Sequence, residues 1–279
     1  MNQRLSVNVD REFTYTVNDF SRARDLLYQH AGIRLTDSKD SLVYSRLARR
    51  LRALGLTDFS DYLSRVSPDS EEWEHFLNAL TTNLTSFFRE NHHFEYLLSL
   101  ISQHSSKEPF RIWCAASSTG EEPYSIAMTL VEAFGRYDPP ASIIATDIDT
   151  NVLRIAREGI YRADRIEKMS DDRMRRFFLK GKGRQLGQVR VRPELQKLID
   201  FRPLNLLSPD WPLSGHFDAI FCRNVLIYFD RPTQKGIVNR FPSLLKPDGY
   251  LFIGHSENLS HVTSDFVLKG RTIYQKVAS

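Results

Sequence analysis

The chain has 279 residues, 41% of them apolar and 26% charged, with a formal net charge of +4 at pH 7. That composition excludes a disordered, collagen-like or disulfide-framed chain and leaves room for about two globular domains with substantial cores. The opening "MNQRLSVNVDREFTYTV" carries no apolar segment of signal-peptide length and no run of about 18 apolar residues follows, so neither secretion nor membrane insertion is expected, and the cytoplasm is the default location.

Residues 1–17 read as an N-terminal tail and residues 18–90 as an all-helical domain. Candidate helices are "NDFSRARDLLYQHAG", "SKDSLVYSRLARRLRALG", "DFSDYLSRV" and "EEWEHFLNALTT", with Gly32 and Gly55 as stops and Thr57 and Ser70 as caps. Val43, Leu47, Leu51 and Leu54 form one stripe of the second helix, leaving Arg46, Arg49 and Arg50 on a flank and the opposite face. Those arginines fit either a solvated face or a docking surface for something acidic. Trp73, Phe76, Leu77 and Leu80 recur at helical spacing and are assigned to core packing.

"NHHFEYLLSLISQH" is a further helix and begins the second domain, residues 91–279. From Pro109 short strands alternate with helices: "FRIWCAA", a helix from Pro123, "ASIIATDID", "NVLRIAREG", then "LIDFRPL", "FDAIFCRN", the helix "PTQKGIVNRFPSLLKPDG" and "GYLFIGHS". This alternation predicts an open α/β fold with a mostly parallel sheet, closed by an antiparallel hairpin edge from "DFVLKGRTIYQKV". Residues 160–198 are too long for a plain crossover and predict a small inserted β-subdomain containing the helix "SDDRMRRFFLK" and the strand "VRVR". Cys114 and Cys222 fall in apolar strand runs without disulfide or metal spacing and read as reduced, buried filler.

In open α/β sheets ligands bind beyond the carboxyl ends of the strands. Here those ends carry Ser117 to Glu122, Asp147 and Asp149, Asn205, and Arg223 to Tyr228. The first turn, "WCAASSTGEEPYS", has one glycine where a dinucleotide fingerprint has three, and Glu121 and Glu122 stand where a pyrophosphate would meet repulsion. Asp147 ends the second strand, where a carboxylate meets ribose hydroxyls. Together they point to a nucleoside without phosphate and with positive charge, such as S-adenosylmethionine; ordinary helix capping is the plainer alternative for the glutamates. His92 and His93 are adjacent, about 100° apart on a helix, so no metal site is expected, and His255 in "GHSEN" reads as a loop-ordering residue.

The motifs "ALTTNLTSFFRE", "AASSTGEEPYSIA", "ATDID", "FCRNVLIYFD" and "LLKPDGYLFIGHSEN", following a basic helical N-terminal region, resemble the chemotaxis receptor methyltransferases of the CheR family, in order from about residue 18 to 277. The resemblance implies a class I S-adenosylmethionine-dependent methyltransferase domain behind an all-α domain. It implies methyl esterification of glutamates on the cytoplasmic helical bundle of chemoreceptors, with S-adenosylhomocysteine as product. Cofactor contacts then fall on Asn83, Thr85, Arg89, Glu122, Asp147, Asn205, Leu206, Arg223 and Asn224, and the chemistry on Arg89 and Tyr228. A glutamate with a reference pKa of about 4.3 is already ionised at neutral pH, so Arg89 and Tyr228 need only orient it.

Family members with a glycine-x-glycine insertion in the β-subdomain bind a receptor C-terminal pentapeptide there, and Gly181 and Gly183 of "GKG" match it. Arg46, Arg49 and Arg50 would face the acidic receptor helices. A monomer that binds no nucleic acid is expected: amino-methylating enzymes of nucleic acids place an Asn or Asp, two prolines and an aromatic where this chain has "CRNVLIYF". A sensor that binds the cofactor without catalysis is the other rival.

Overall fold

The computed structural model describes residues 11–104, 108–259 and 262–277. The chain forms two compact units that divide between Thr82 and Asn83.

The first unit contains α1 (Val17–Ala31), α2 (Asp40–Leu54), α3 (Phe59–Ser64) and α4 (Glu71–Leu80). A capping box of Thr16 and Asp19 starts α1, and Gly32 and Gly55, both left-handed, end α1 and α2. Val43, Leu47 and Leu51 are fully buried while Leu54 keeps 38% exposure, so the stripe frays at its last turn. Phe76, Leu77 and Leu80 are buried, and Trp73 stacks on Phe76 from a half-buried position.

Two expectations need correction here. Asp58, not Thr57, caps α3, accepting from the N–H groups of Ser60 and Asp61. The Thr57 carbonyl instead accepts from Thr14, and the Thr14 carbonyl from Phe59, so residues 11–16 belong to the folded unit, with Phe13 buried. Only residues 1–10 of the expected tail lie outside the described residues.

The second unit runs α5 (His92–Ser102), β1 (Phe110–Ala115), α6 (Glu121–Phe134), β2 (Ala141–Asp147), α7 (Thr150–Glu158), β3 (Ile160–Arg162), α8 (Asp171–Phe177), β4 (Phe178–Lys180), β5 (Gln188–Val191), α9 (Pro193–Gln196), β6 (Ile199–Pro203), β7 (Phe217–Cys222), α10 (Arg231–Val238), α11 (Phe241–Leu244), β8 (Leu245–Ile253), β9 (Phe266–Gly270) and β10 (Ile273–Lys276). Seven strands form one sheet in the order β6-β2-β1-β7-β8-β10-β9. Strand order reverses at β1, which lies between β2 and β7 and pairs parallel with both. Trp113, Phe221 and Phe252 are fully buried, and the last two stack at 4.2 Å.

The expected antiparallel hairpin forms one end of the sheet, with its second strand inside its first. β10 is inserted between β8 and β9 and runs antiparallel to both. Burial explains the placement: Ile273 and Tyr274 of β10 are buried, whereas Val267 and Leu268 of β9 remain 45% and 57% exposed. The helix expected over "PTQKGIVNRFPSLLKPDG" is two helices, because Pro242 in its middle has no N–H to continue the ladder and suits only a helix's first turn.

The insertion is a separate three-stranded antiparallel sheet, β3-β5-β4, with β3 and β4 as its edges. Residues 83–90 pack with the second unit rather than the first. Phe87 meets Tyr161 and Phe178, Phe88 meets Phe94, and the Phe88 N–H donates to Ser125 Oγ at 2.9 Å. Among the described residues no helix is long and apolar enough to cross a membrane.

Candidate active site

After β1 the backbone turns sharply through Ala116 and Ser118, both left-handed, to Gly120 at φ 99°. A side chain at Gly120 would put its Cβ 2.8 Å from the Tyr161 hydroxyl and 2.9 Å from Ala156 Cβ. The single glycine of the motif thus serves close approach of helix and turn. Tyr161 secures the same turn by donating to the Thr119 carbonyl at 2.7 Å.

Asp147 is the anchor of the strand ends. Its Oδ2 accepts from Ser118 N at 2.8 Å and its Oδ1 from Asp149 N at 2.9 Å. Burial raises its carboxyl to about 6, against the lowering effect of those two backbone donors. Each oxygen retains a lone pair for another donor. Asp149 caps α7 through Oδ1 and accepts from Asn83 Nδ2 at 2.8 Å through Oδ2. The Ser118 hydroxyl donates to the Asn83 carbonyl, and Leu204 N to the Asp147 carbonyl. Asn83, Asp147 and the 205–206 segment are thereby brought together; Asn205 is half-buried and its Oδ1 accepts from Leu207 N, while Leu206 is buried.

The two glutamates of the turn are not a free negative field, which corrects the electrostatic expectation. Glu121 pairs with Arg165 and accepts from Thr119 Oγ1; Glu122 pairs with Arg223 at 2.5 Å and accepts from Cys114 Sγ at 3.3 Å. Carboxylates this buried need a cation or donors, and two arginines supply the balancing charge. Burial, with Glu122 beside it, pushes the Cys114 thiol well above its ordinary range, so it stays a thiol.

Arg223 also corrects an assignment. Its side chain is fully inaccessible, donating to Glu122 and to the Arg89 carbonyl at 2.5 Å and lying 3.5 Å from Glu90. Any ligand contact at Arg223 would have to come from its backbone. Asn224, left-handed, donates its N–H to Glu257 Oε2 at 3.0 Å and its Nδ2 to Glu90 Oε1 at 3.3 Å. Glu257 further accepts from the N–H groups of Gly254 and Ile227, tying the β7 and β8 ends together.

Phe88 and Glu90, on either side of Arg89, are both left-handed. Among the described residues, five of the seven left-handed non-glycine residues, Phe88, Glu90, Ala116, Ser118 and Asn224, thus sit in these loops. The Arg89 guanidinium is half-buried and donates to the Leu84 carbonyl at 3.0 Å; among the described residues it meets no carboxylate. Thr85 offers its carbonyl to Arg165 at 2.8 Å. Tyr228 ends a short 3-10 turn after β7, half-buried, its hydroxyl unpaired among the described residues. His255 reaches Glu90 Oε1 at 3.1 Å, which suits a loop-ordering residue.

Sequence reasoning missed Glu90, Arg165 and Glu257 as members of this network. The available signal was an acidic residue inside each motif already singled out, "FFRE" and "GHSEN", flanked by apolar strands that would bury it. The geometric objection to His92 and His93 also fails: at the very start of α5 both rings turn to one side, and both Nε2 atoms reach the Arg271 carbonyl, at 3.1 and 3.3 Å. Gly181 and Gly183 lie between β4 and β5, and Arg46, Arg49 and Arg50 in the first unit; neither set belongs to this site. Arg46 donates to the carbonyls of Leu80 and Thr81, and Arg50 forms a two-pronged pair with Glu72, so only Arg49 of the three presents an exposed side chain.

The strand ends of a mostly parallel sheet, with a buried carboxylate after the second strand and no glycine-rich phosphate loop, suit a nucleoside without phosphate. The profile of the CheR methyltransferase all-alpha domain matches residues 18–81, and that of the CheR methyltransferase SAM binding domain matches residues 83–274. The chain belongs to the CheR methyltransferase family. It is 52% identical over 266 residues to the chemotaxis protein methyltransferase 2 of Pseudomonas aeruginosa, covering 95% of each chain. It is 52% identical over 257 residues to the chemotaxis protein methyltransferase of Escherichia coli K12, covering 91% of this chain and 89% of that one. With the chemotaxis protein methyltransferase of Borreliella burgdorferi the identity is 38% over 269 residues, with 91% of each chain covered. Family membership makes the chain an S-adenosylmethionine-dependent methyltransferase of chemoreceptor glutamates.

Proposed function

We propose that Arg89 and Tyr228 align a receptor glutamate for esterification. The observation that carries this reading is the state of Arg89: its backbone is fixed by two left-handed neighbours and by Arg223, while its guanidinium has no carboxylate partner among the described residues. One oxygen of an incoming carboxylate can take that position, leaving the other oxygen free as nucleophile. Tyr228, whose hydroxyl has no partner among the described residues, orients the same group. No general base is needed, because the attacking carboxylate is ionised well below neutral pH.

S-adenosylmethionine supplies an electrophilic methyl carbon, whose bond to sulfur breaks, with its electron pair left on sulfur, as the new carbon–oxygen bond forms. The residues present fit its polar groups. Asp147 has lone pairs for two ribose hydroxyls, and the buried Ser117 hydroxyl, unpaired among the described residues, lies in the same turn. Asn83, Thr85, Asn205, Leu206 and Asn224 would complete the lining, with Glu122 and Arg223 holding the turn rather than touching the ligand. Since ribose hydroxyls donate best to an ionised Asp147, cofactor affinity should weaken as pH falls through about 6.

Receptor docking would use two further surfaces. The β4 edge, where Leu179 is 40% exposed, can add a strand from a receptor C-terminal pentapeptide, and the following Gly181 has no room for a side chain, since its Cβ would stand 2.0 Å from the Gln185 carbonyl. Arg49 would speed encounter with acidic receptor helices. A cytoplasmic monomer fits both contacts.

Transfer of labelled methyl to receptor as a base-labile ester tests the reaction. Arg89→Ala and Tyr228→Phe should each lower kcat about 100-fold or more while leaving S-adenosylhomocysteine affinity within a few-fold, the cost of a misplaced reacting pair. A base-stable product, or full activity in both variants, would overturn the assignment. Calorimetric titration with a receptor C-terminal pentapeptide tests the β4 edge separately.

A further inference from the structure

One nitrogen or oxygen from each of Glu90, His92 and His93 lies within 4.8 Å of the others. His93 is completely buried, and its Nδ1 makes no hydrogen bond among the described residues; nor does the buried Oε2 of Glu90, 3.9 Å away. The tautomer of His93 sharpens the conflict. Its Nε2 faces the Arg271 carbonyl at 3.3 Å and Thr272 Oγ1 at 3.0 Å, and the Thr272 hydroxyl already donates to that carbonyl. With the ring proton on Nε2 both neighbours accept it, and this is the tautomer that leaves Nδ1 as a ligand. Nδ1 then faces Glu90 Oε2 at 3.9 Å as a second buried acceptor.

Neutral imidazole and ionised carboxylate are the forms that bind metals, and a carbonyl holding the far nitrogen is the usual support for a metal-bound histidine.

The geometry points to a divalent transition-metal site of the zinc class formed by Glu90, His92 and His93. Two ligands of a tetrahedral zinc lie about 3.4 Å apart, so a shift of about 0.5 Å closes the His93–Glu90 pair, and a shift of up to about 1.4 Å brings in His92. Arg223 sits against the other oxygen, Oε1, and opposes the cation, so the site is of moderate rather than structural-zinc affinity. Its ion would tie the start of α5 and the β9–β10 turn to the loop carrying Arg89.

The test uses the full chain without a histidine tag, titrated with cobalt(II) and followed by its visible absorption, then displaced with zinc(II). One cobalt per chain with the spectrum of a low-coordinate nitrogen and oxygen site is expected. His92→Ala, a half-buried change the fold should tolerate, should weaken it about tenfold or more, and Glu90→Gln likewise. Absence of saturable binding, binding unaffected by both variants, or a water bridging Nδ1 and Oε2 in zinc-soaked crystals would overturn the proposal.

Discussion

The helical unit and the strand-end loops solve the same problem, placing many charges in a small space, in opposite ways. Residues 11–82 contain no left-handed non-glycine residue, and the turns after α1 and α2 are given to glycine. Most of their ion pairs stay near water, as in Arg52–Glu12, where both side chains are more than half exposed. The strand ends instead use left-handed Phe, Glu, Ala, Ser and Asn, and they bury a guanidinium with carboxylates on two sides. Strain and buried charge persist only where surrounding contacts over-determine them, and those contacts fix the groups a ligand must meet.

The largest effect belongs to Arg223. Arg223→Ala leaves Glu122 and Glu90 without their shared cation and should cost about 3–5 kcal/mol in urea unfolding, with loss of cofactor binding. A cost below about 1 kcal/mol would erase the contrast between the two regions.

Asp147 comes next, with a definite sign. Its pKa is raised from 3.8 to about 6, so the folded state holds its proton more tightly than the unfolded chain. Stability from this group is complete below about pH 4 and is lost as pH rises to about 6, by roughly 3 kcal/mol. Asp147→Asn should lack this fall, so the difference between the two cofactor-free stability profiles should trace it; parallel profiles would refute it.

Gly120→Ala should destabilise by about 1–3 kcal/mol, from the left-handed backbone and the Tyr161 and Ala156 contacts, and should weaken S-adenosylhomocysteine binding in calorimetry. In the helical unit the corresponding break is small: Arg50→Ala should cost about 1 kcal/mol, as for a partly exposed pair. Arg49→Glu should change stability by less than about 0.5 kcal/mol while slowing receptor methylation, most visibly at low salt.

How much could be read in advance follows the same divide. Helices α1 to α4 were legible because Val43, Leu47 and Leu51 repeat at helical spacing, and the sheet because β1, β2, β6, β7 and β8 are short apolar runs. Asp147 was legible from its place after β2. The partner of Glu122 was not, because Arg223 is 101 residues away and no local pattern links them. Nor was the inner position of β10, which depends on which strand of the hairpin buries more surface. The inaccessibility of Arg223 was hidden for a related reason: motif membership identifies a residue's neighbourhood, not the direction its side chain takes.

Because a single guanidinium serves the turn before α6, the loop before α5 and the end of β7, those three segments form one inherited set. A graft of residues 83–90 from a distant relative would arrive without its matching carboxylate and arginine, and repair would need changes in two other stretches at once. Variation in this enzyme is therefore expected to be permissive along its rims and edges, and to move through the strand-end loops only in concerted steps.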